Sequence, residues 1–258
     1  MYNYKICIPS YKRPQLIKDY TLKLLDNYCV NKDNIDIIVE NEDMKKEYLE
    51  SLGNDYNIIV SDTNGICEKR NFVRHYYQHE TDVKYLVCID DDIENLIDYD
   101  VPLTPIGFEK TIQTGFEECE KNNLYLWGVS PFHNTFFLSK KVSTSLKYIC
   151  GAMFGLIIDR SKEVIYSDLD HYEDFLFTCE HFIRDNGVIR LNWIALKTKY
   201  FNPKGGITEW YGGVRARKEA QIKNATYMKD RYGDMCRVII KKYGYDLRLN
   251  HNYKNQIL

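Results

Sequence analysis

The strongest constraint on this chain is the order of its first 90 residues, where short apolar runs alternate with longer amphipathic segments. Tyr4–Ile8 reads as a buried strand, and residues 14–27 read as a helix with Pro14 in its first turn and Leu16, Ile17, Tyr20 and Leu24 at helical spacing. Ile35–Val39 is a second strand, Met44–Leu52 a helix stopped by Gly53, and Asn57–Val60 a third strand. Gly65–Gln78 is helical, and Tyr85–Ile89 is a fourth strand that ends at Asp90. Such alternation predicts βαβ units, hence an α/β fold with a mostly parallel central sheet flanked by helices. Open sheets of this kind bind ligands beyond the carboxyl ends of their strands. That rule directs attention to Pro9-Ser10-Tyr11, Glu40-Asn41, Ser61-Asp62 and Asp90-Asp91-Asp92.

The second half is less regular. The pattern predicts a helix over Pro105–Asn122, strands over Tyr125–Val129 and Phe154–Ile158, and a hairpin within Phe136–Tyr148. A helix over Glu173–Asp185 is followed by an extended stretch, Val188–Lys197. Asn202–Gly213 holds four glycines and reads as a loop, followed by helices over Arg215–Tyr232 and Met235–Tyr243. With no internal repeat or Pro/Ser-rich linker, residues 1–258 read as one continuous domain ending in a basic helical region.

Composition narrows the function classes. No run of 18 or more apolar residues is present, which argues against a membrane span, and the amino terminus lacks the apolar core of a signal peptide. None of the eight cysteines forms a CxxC pair, and several sit inside apolar runs, as buried thiols in a reducing cytoplasm would. The expected location is therefore cytoplasmic. Charge is polarised: Lys197 to Leu258 carries 14 basic and 5 acidic groups, a net of +9, against −11 for the preceding residues. A cationic carboxyl-terminal region either meets a polyanion or pairs with the acidic part of the same chain. The 22 Tyr and 11 Phe supply rings for a site as well as for a core.

Four segments carry candidate chemistry. Strand alternation places Asp90 and Asp92 on one side and Asp91 on the other. Three crowded carboxylates repel unless a hard divalent cation or donors neutralise them; the bland alternative is a solvated acidic turn capping the next helix. Gly65 to Asn71 opens a helix whose free N–H groups favour phosphate, with Lys69 and Arg70 as added charge, although such a basic pair is also ordinary on a surface helix. Asp170-His171-Tyr172-Glu173-Asp174 precedes an apolar-periodic helix, where an acid either caps the helix or serves as a general base. Asn202-Pro203-Lys204-Gly205-Gly206 is either a plain turn or a closing loop that carries Lys204 to a diphosphate. His75 and His79 have zinc-like i, i+4 spacing but no further ligand nearby, and read as an ordinary amphipathic face.

In order and spacing these pieces resemble the glycosyltransferase A fold. The match runs from Ile8-Pro9-Ser10-Tyr11-Lys12-Arg13-Pro14 through Gly65, Lys69-Arg70-Asn71 and Asp90–Asp92 to Tyr172-Glu173-Asp174 and Arg184-Asp185-Asn186-Gly187. The resemblance implies a nucleotide-sugar-binding part over 1–100, an acceptor and catalytic part over 101–200, and a glycine-rich loop with a basic helical tail over 201–258. It assigns Pro9, Ser10, Tyr11, Arg13, Lys69, Arg70, Asp91 and Lys204 to the donor and Asp90 and Asp92 to Mn²⁺ or Mg²⁺. Asp174, with Glu173 beside it, becomes the base of an inverting transfer. The histidine that often completes metal coordination in this fold has no counterpart in the sequence, His251 lying close to the chain end.

Within that fold, the Pro-Ser-Tyr-x-Arg start, the Asp triplet and the Lys-Gly-Gly segment resemble the TET/JBP-associated transferases of viruses and protists, which glycosylate hydroxymethylated pyrimidines in DNA. This finer likeness implies a UDP-sugar donor, taken as UDP-glucose, and a DNA acceptor met by His171, Arg215, Arg217 and Lys218. The net +9 of the carboxyl-terminal region agrees with it. Competing readings keep the fold but take a polysaccharide or protein acceptor, or make the chain a non-catalytic nucleotide-sugar or DNA-binding module. A nucleotidyltransferase would normally show a glycine-rich first loop, and Ile8–Pro14 contains no glycine.

Overall fold

The computed structural model describes residues 1–198, 210–241 and 244–254, and no helix among them is long and apolar enough to cross a membrane. Among the described residues twelve strands are present: β1 (Tyr4–Pro9), β2 (Ile35–Val39), β3 (Asn57–Val60), β4 (Tyr85–Ile89), β5 (Ile93–Asp98), β6 (Val101–Pro102), β7 (Leu126–Ser130), β8 (Val142–Ser143), β9 (Met153–Ile157), β10 (Ile189–Thr198), β11 (Cys236–Lys241) and β12 (Gly244–Leu249). The longer helices are α1 (residues 14–27, with a π turn over Lys18–Leu22), α2 (Glu42–Leu52), α3 (Gly65–His79), α4 (Pro105–Asn122), α5 (Glu173–Asp185) and α6 (Val214–Tyr232).

Ten strands form one sheet in the order β3-β2-β1-β4-β9-β7-β10-β5-β6, with β8 beside β10. β1 to β4 pair in parallel, whereas β9 runs against both β4 and β7 and so restores the common direction in β7; β10 then lies parallel to β7. The carboxyl ends of β1–β4, β7 and β10 consequently open onto one rim. The central strands lie between two apolar layers, which is why β2, β7 and β9 are buried at every residue instead of alternating. One layer includes Ile6, Ile8, Ile37, Val87 and Phe116; the other includes Cys7, Ile38, Cys88, Phe154 and Phe177.

Local chemistry sets the helix ends. Asn41 caps α2 by accepting from the Met44 amide, so the helix begins at Glu42, ahead of the apolar run that marks it in sequence. Thr104 and Pro105 open α4, and Asn123 closes it in the left-handed region at φ 54°.

Two expectations fail. Met235–Tyr243 is not a helix: Cys236–Lys241 pairs antiparallel with Gly244–Leu249, so among the described residues of the basic tail the helix α6 is followed by an antiparallel strand pair. The β-branched run Val238-Ile239-Ile240 favours a pleated surface, and that preference outweighs the helical spacing. Phe136–Tyr148 makes no hairpin of its own; Thr135–Phe137 is a single 3₁₀ turn, and β8 spends its hydrogen bonds on Arg190 and Leu191 of β10.

Candidate active site

At the carboxyl end of β4 the three aspartates separate by role. Asp91 is buried and its Oδ2 accepts from Ser10 Oγ at 2.5 Å, while Arg13 Nη1 lies 3.2 Å from Oδ1. Ser10 Oγ also shares a 2.5 Å hydrogen bond with Tyr48 Oη, so the turn after β1 is clamped onto β4 and α2. Lys12, within that turn, stands at φ 54°, a conformation that non-glycine residues adopt at local cost. Asp90 receives Arg70 Nη2 at 2.9 Å, whereas Asp92 has Arg13 only at 3.8 Å. Burial first, then the charges of Asp90 and Asp91, push the Asp92 carboxyl up to about 7. Burial also raises Asp90 and Asp91, opposed by Arg70 and Arg13 respectively.

Lys69 and Arg70 are not the surface pair that a helical basic dipeptide usually is. Lys69 is 2% exposed and donates through Nζ to the Ser10 carbonyl at 2.9 Å; burial lowers it to about 8. Nearby, at the end of β2, Glu40 supports the charge of Lys69, and its own Oε2 is buried with no hydrogen-bond partner. Sequence singled out Glu40 only as a strand-end residue; its buried, unpartnered oxygen is a feature that spacing does not reveal.

Arg70 is the hub. It joins Asp90, the Gly151 carbonyl at 3.0 Å and the carboxylate of Glu173. A Cβ on Gly151 would overlap the Arg70 guanidinium, so a residue without one is required where the chain enters β9. Glu173 is 5% exposed and also pairs with Arg74 at 3.5 Å, which places it in a buried ion network. Arg74 lies over the Phe177 ring at 3.8 Å, and burial followed by the neighbouring Arg70 lowers it to about 9.

Asp174 accepts from the Gly151 amide at 3.1 Å and from Tyr148 Oη through Oδ2, and from the Phe175 amide at 2.9 Å through Oδ1. It is close enough to bias both Asp90 and Arg70 electrostatically. Tyr172, immediately before α5, holds φ 67°, with its hydroxyl receiving Gln221 of α6 at 3.1 Å. Tyr148 and Phe175 stack at 4.0 Å between ring centroids and Tyr172 meets Phe175 edge-on, forming an aromatic wall beside Asp174. No sequence signal marked Tyr148 or Gly151.

His171 and Arg217 sit close together: burial, then Arg217, lowers His171 to about 4. Arg215 pairs with Glu219 at 3.0 Å on the solvent face of α6, and Lys218 is exposed on the same helix. Trp210 donates to Asn64 Oδ1 at 2.8 Å and lies against Gly65, which carries φ +87° and leaves no room for a Cβ, at 2.9 Å. Pro9 ends β1 and Tyr11 lies 5.4 Å below the Lys69 ammonium. Lys204 lies outside the described residues.

Among the described residues no three or more His, Cys, Asp or Glu side chains are gathered in the manner of a complete metal centre. The donor chemistry nonetheless fits a hard cation. Asp90 and Asp92 offer carboxylate oxygens, and the raised Asp92 carboxyl marks negative charge that the protein leaves under-compensated. Mg²⁺ and Mn²⁺ sites commonly take one or two carboxylates and complete their shell with water and substrate phosphate.

No family model matches the chain, and no curated relative matches it. Solved structures do. A mycobacterial protein aligns over 100% of this chain and 85% of its own, with TM-score 0.54 and 9% identity. Glucosyl-3-phosphoglycerate synthase from Mycobacterium tuberculosis, in complex with Mn²⁺, UDP and phosphoglyceric acid, covers 100% of this chain and 88% of its own, with TM-score 0.53 and 10% identity. The same enzyme with Mn²⁺ and UDP-glucose aligns with TM-score 0.53 at 10% identity. The chain therefore has the glycosyltransferase A-type architecture expected from its sequence.

Proposed function

We propose that this chain is a metal-dependent glycosyltransferase that moves a sugar from a UDP-sugar to the hydroxyl of a hydroxymethylated pyrimidine in DNA. The observation that carries the reading is the rim itself. Asp90 and Asp92 lie at the end of β4 beside Lys69 and Arg70, with Asp174 joined to them through Arg70 and Gly151. Mn²⁺ or Mg²⁺ held by Asp90 and Asp92 would supply Lewis-acid stabilisation of the departing diphosphate.

The residues of the chain account for the remaining steps. Ser10, Arg13 and Asp91 fix the turn against which the nucleoside lies, and Glu40 Oε2 is an acceptor suited to an imide N–H of uracil. Lys69 and Arg70 place fixed positive charge where the diphosphate gathers negative charge. Asp174 Oδ1 keeps an acceptor site beyond the Phe175 amide and takes the proton of the attacking hydroxyl. The acceptor oxygen then bonds to the anomeric carbon, the carbon–oxygen bond to the diphosphate breaks with its electron pair, and UDP leaves; the configuration inverts. Glu173, buried between Arg70 and Arg74, positions Arg70 and takes no proton.

Support for a nucleic-acid acceptor comes from the far side of the rim. Phe132, Phe136 and Phe137, exposed to 58%, 85% and 58%, follow the carboxyl end of β7 and offer ring faces for stacked bases. The basic helix α6, with Arg215, Arg217 and Lys218, lies beside the Asp174 end of α5 and suits phosphate contacts. The test is incubation with Mn²⁺, a panel of UDP-sugars and hydroxymethylcytosine DNA, followed by nucleoside mass spectrometry. Sugar on hydroxymethylcytosine is expected; transfer to glycans or proteins with none to DNA removes the acceptor assignment.

A further inference from the structure

Away from Asp90 and Asp174, two cations and a histidine form a group that, among the described residues, has no counter-charge. Arg190 near the start of β10, Lys147 in the connection from β8 to β9, and His251 after β12 come from three distant parts of the chain. Packing brings them together. Leu146 and Leu249 share one apolar cluster, carrying Lys147 and His251 to the same place, and β8 pairs with β10 at Arg190. Arg190 donates through Nε to Asn192 Oδ1 at 2.7 Å. Asn192 is itself buried and tied to the Lys141 carbonyl at 2.7 Å and to Ser143 Oγ at 2.8 Å. The guanidinium is thus braced by a side chain that is locked on both sides.

Among the described residues no carboxylate joins the group. Among the described residues neither Lys147 nor Arg190 enters a salt bridge, although most other partly buried cations here do. Burial followed by Arg190 lowers Lys147; burial alone lowers Arg190 to about 10. Burial, then Lys147 and Arg190, lowers His251 to about 4. A protein that gathers cations without an anion bears a desolvation and repulsion cost that a bound anion relieves.

The position suits a substrate. Arg190 shares a row across the sheet with Gly128, Phe154 and Cys88, and Cys88 is two residues before Asp90. Three strand spacings of roughly 4.8 Å put Arg190 about 14 Å from β4, on the side beyond β9 where an acceptor would extend. We propose that Arg190 and Lys147, with His251 at the edge, form a notch for a phosphate group of the acceptor. This rests on the transferase reading above for its purpose, and the site is distinct from Asp90, Asp92 and Asp174. The phosphate belongs either to a nucleic-acid backbone or to a small phosphorylated acceptor; the chemistry recognised is the same.

The test compares wild type with Lys147→Gln/Arg190→Gln, using Arg190→Lys as the charge-retaining control for folding. Inorganic phosphate should raise the melting temperature of wild type and of Arg190→Lys but not of the double variant, while UDP binding with Mn²⁺ stays unchanged in all three. For a short hydroxymethylcytosine oligonucleotide, the double variant should bind roughly tenfold more weakly near 0.1 M salt, with a salt slope smaller by about one. Loss of the phosphate effect with unchanged oligonucleotide binding, but weakened binding of glycerol phosphate, keeps the notch and assigns it to a small acceptor; the DNA reading then falls alone. Equal phosphate stabilisation of wild type and double variant overturns the notch, whatever the acceptor proves to be.

Discussion

Replacing Arg70 by Met removes the cation that joins Asp90, Gly151 and Glu173 while keeping an apolar stem of similar length. Removing one partner of a buried pair costs about 3–5 kcal/mol, because the other charge stays buried. Here Glu173 keeps Arg74, and the Asp90 side chain is 31% exposed, so the low end, about 3 kcal/mol, is expected. For a chain of this size that lowers Tm by roughly 6–12 °C. The pH dependence separates lost charge from a lost fit. Without Arg70 the folded Asp90 carboxyl rises further above its unfolded value, so relative to wild type the variant is penalised only where Asp90 is ionised in the folded wild type. Its deficit is therefore largest near neutral pH and shrinks as pH falls through the variant's further-raised Asp90 carboxyl toward the wild-type one, which itself lies above the ordinary carboxylate value. Urea unfolding of both proteins between pH 4 and 8 measures this. A deficit under about 1 kcal/mol, or one that is constant with pH, would refute the idea that Arg70 acts as the charged tie.

Asp92→Asn removes a carboxylate held at about 7. Since a raised acid costs stability as pH climbs from its unfolded value through its folded one, the variant should be more stable than wild type by roughly 4 kcal/mol at pH 8 and equal to it at pH 3. Mn²⁺ should raise the melting temperature of wild type and leave this variant unmoved, which calorimetry reads directly. Asp174→Asn should lose about 100-fold or more in kcat with UDP-sugar affinity retained by titration calorimetry. Gly151→Ala forces a methyl onto the Arg70 guanidinium and should cost about 1–3 kcal/mol in urea unfolding. Glu40→Gln should weaken UDP binding several-fold without altering the melting temperature of the free protein.

Much of the fold of the amino-terminal part was legible because its signals are local. Strand, turn and helix follow one another within about 30 residues, and Asp90–Asp92 stand directly after an apolar run. Lys69 and Arg70 were read against a surface alternative because a helical basic pair says nothing of what packs over it; the carbonyls of Ser10 and Gly151 decide that, 59 and 81 residues away. Gly151 and Tyr148 escaped for the same reason, since their importance lies in Arg70 and Asp174. The strand pair at Cys236–Leu249 was missed locally: a β-branched run before Tyr243-Gly244 is a strand signal, set aside in favour of spacing.

The Arg70 junction also bears on how the molecule comes to exist. Its partners are drawn from β4, the start of β9 and the start of α5, so this corner of the rim cannot be finished by the first hundred residues alone. A ribosome-bound chain that has emerged only past Asp92 would hold three mutually repelling acids with their chief neutralising arginine untethered. Competence to grip a nucleotide should appear late in synthesis, after α5 has docked, and fragments lacking the final third should be inert toward UDP however well their strands pair.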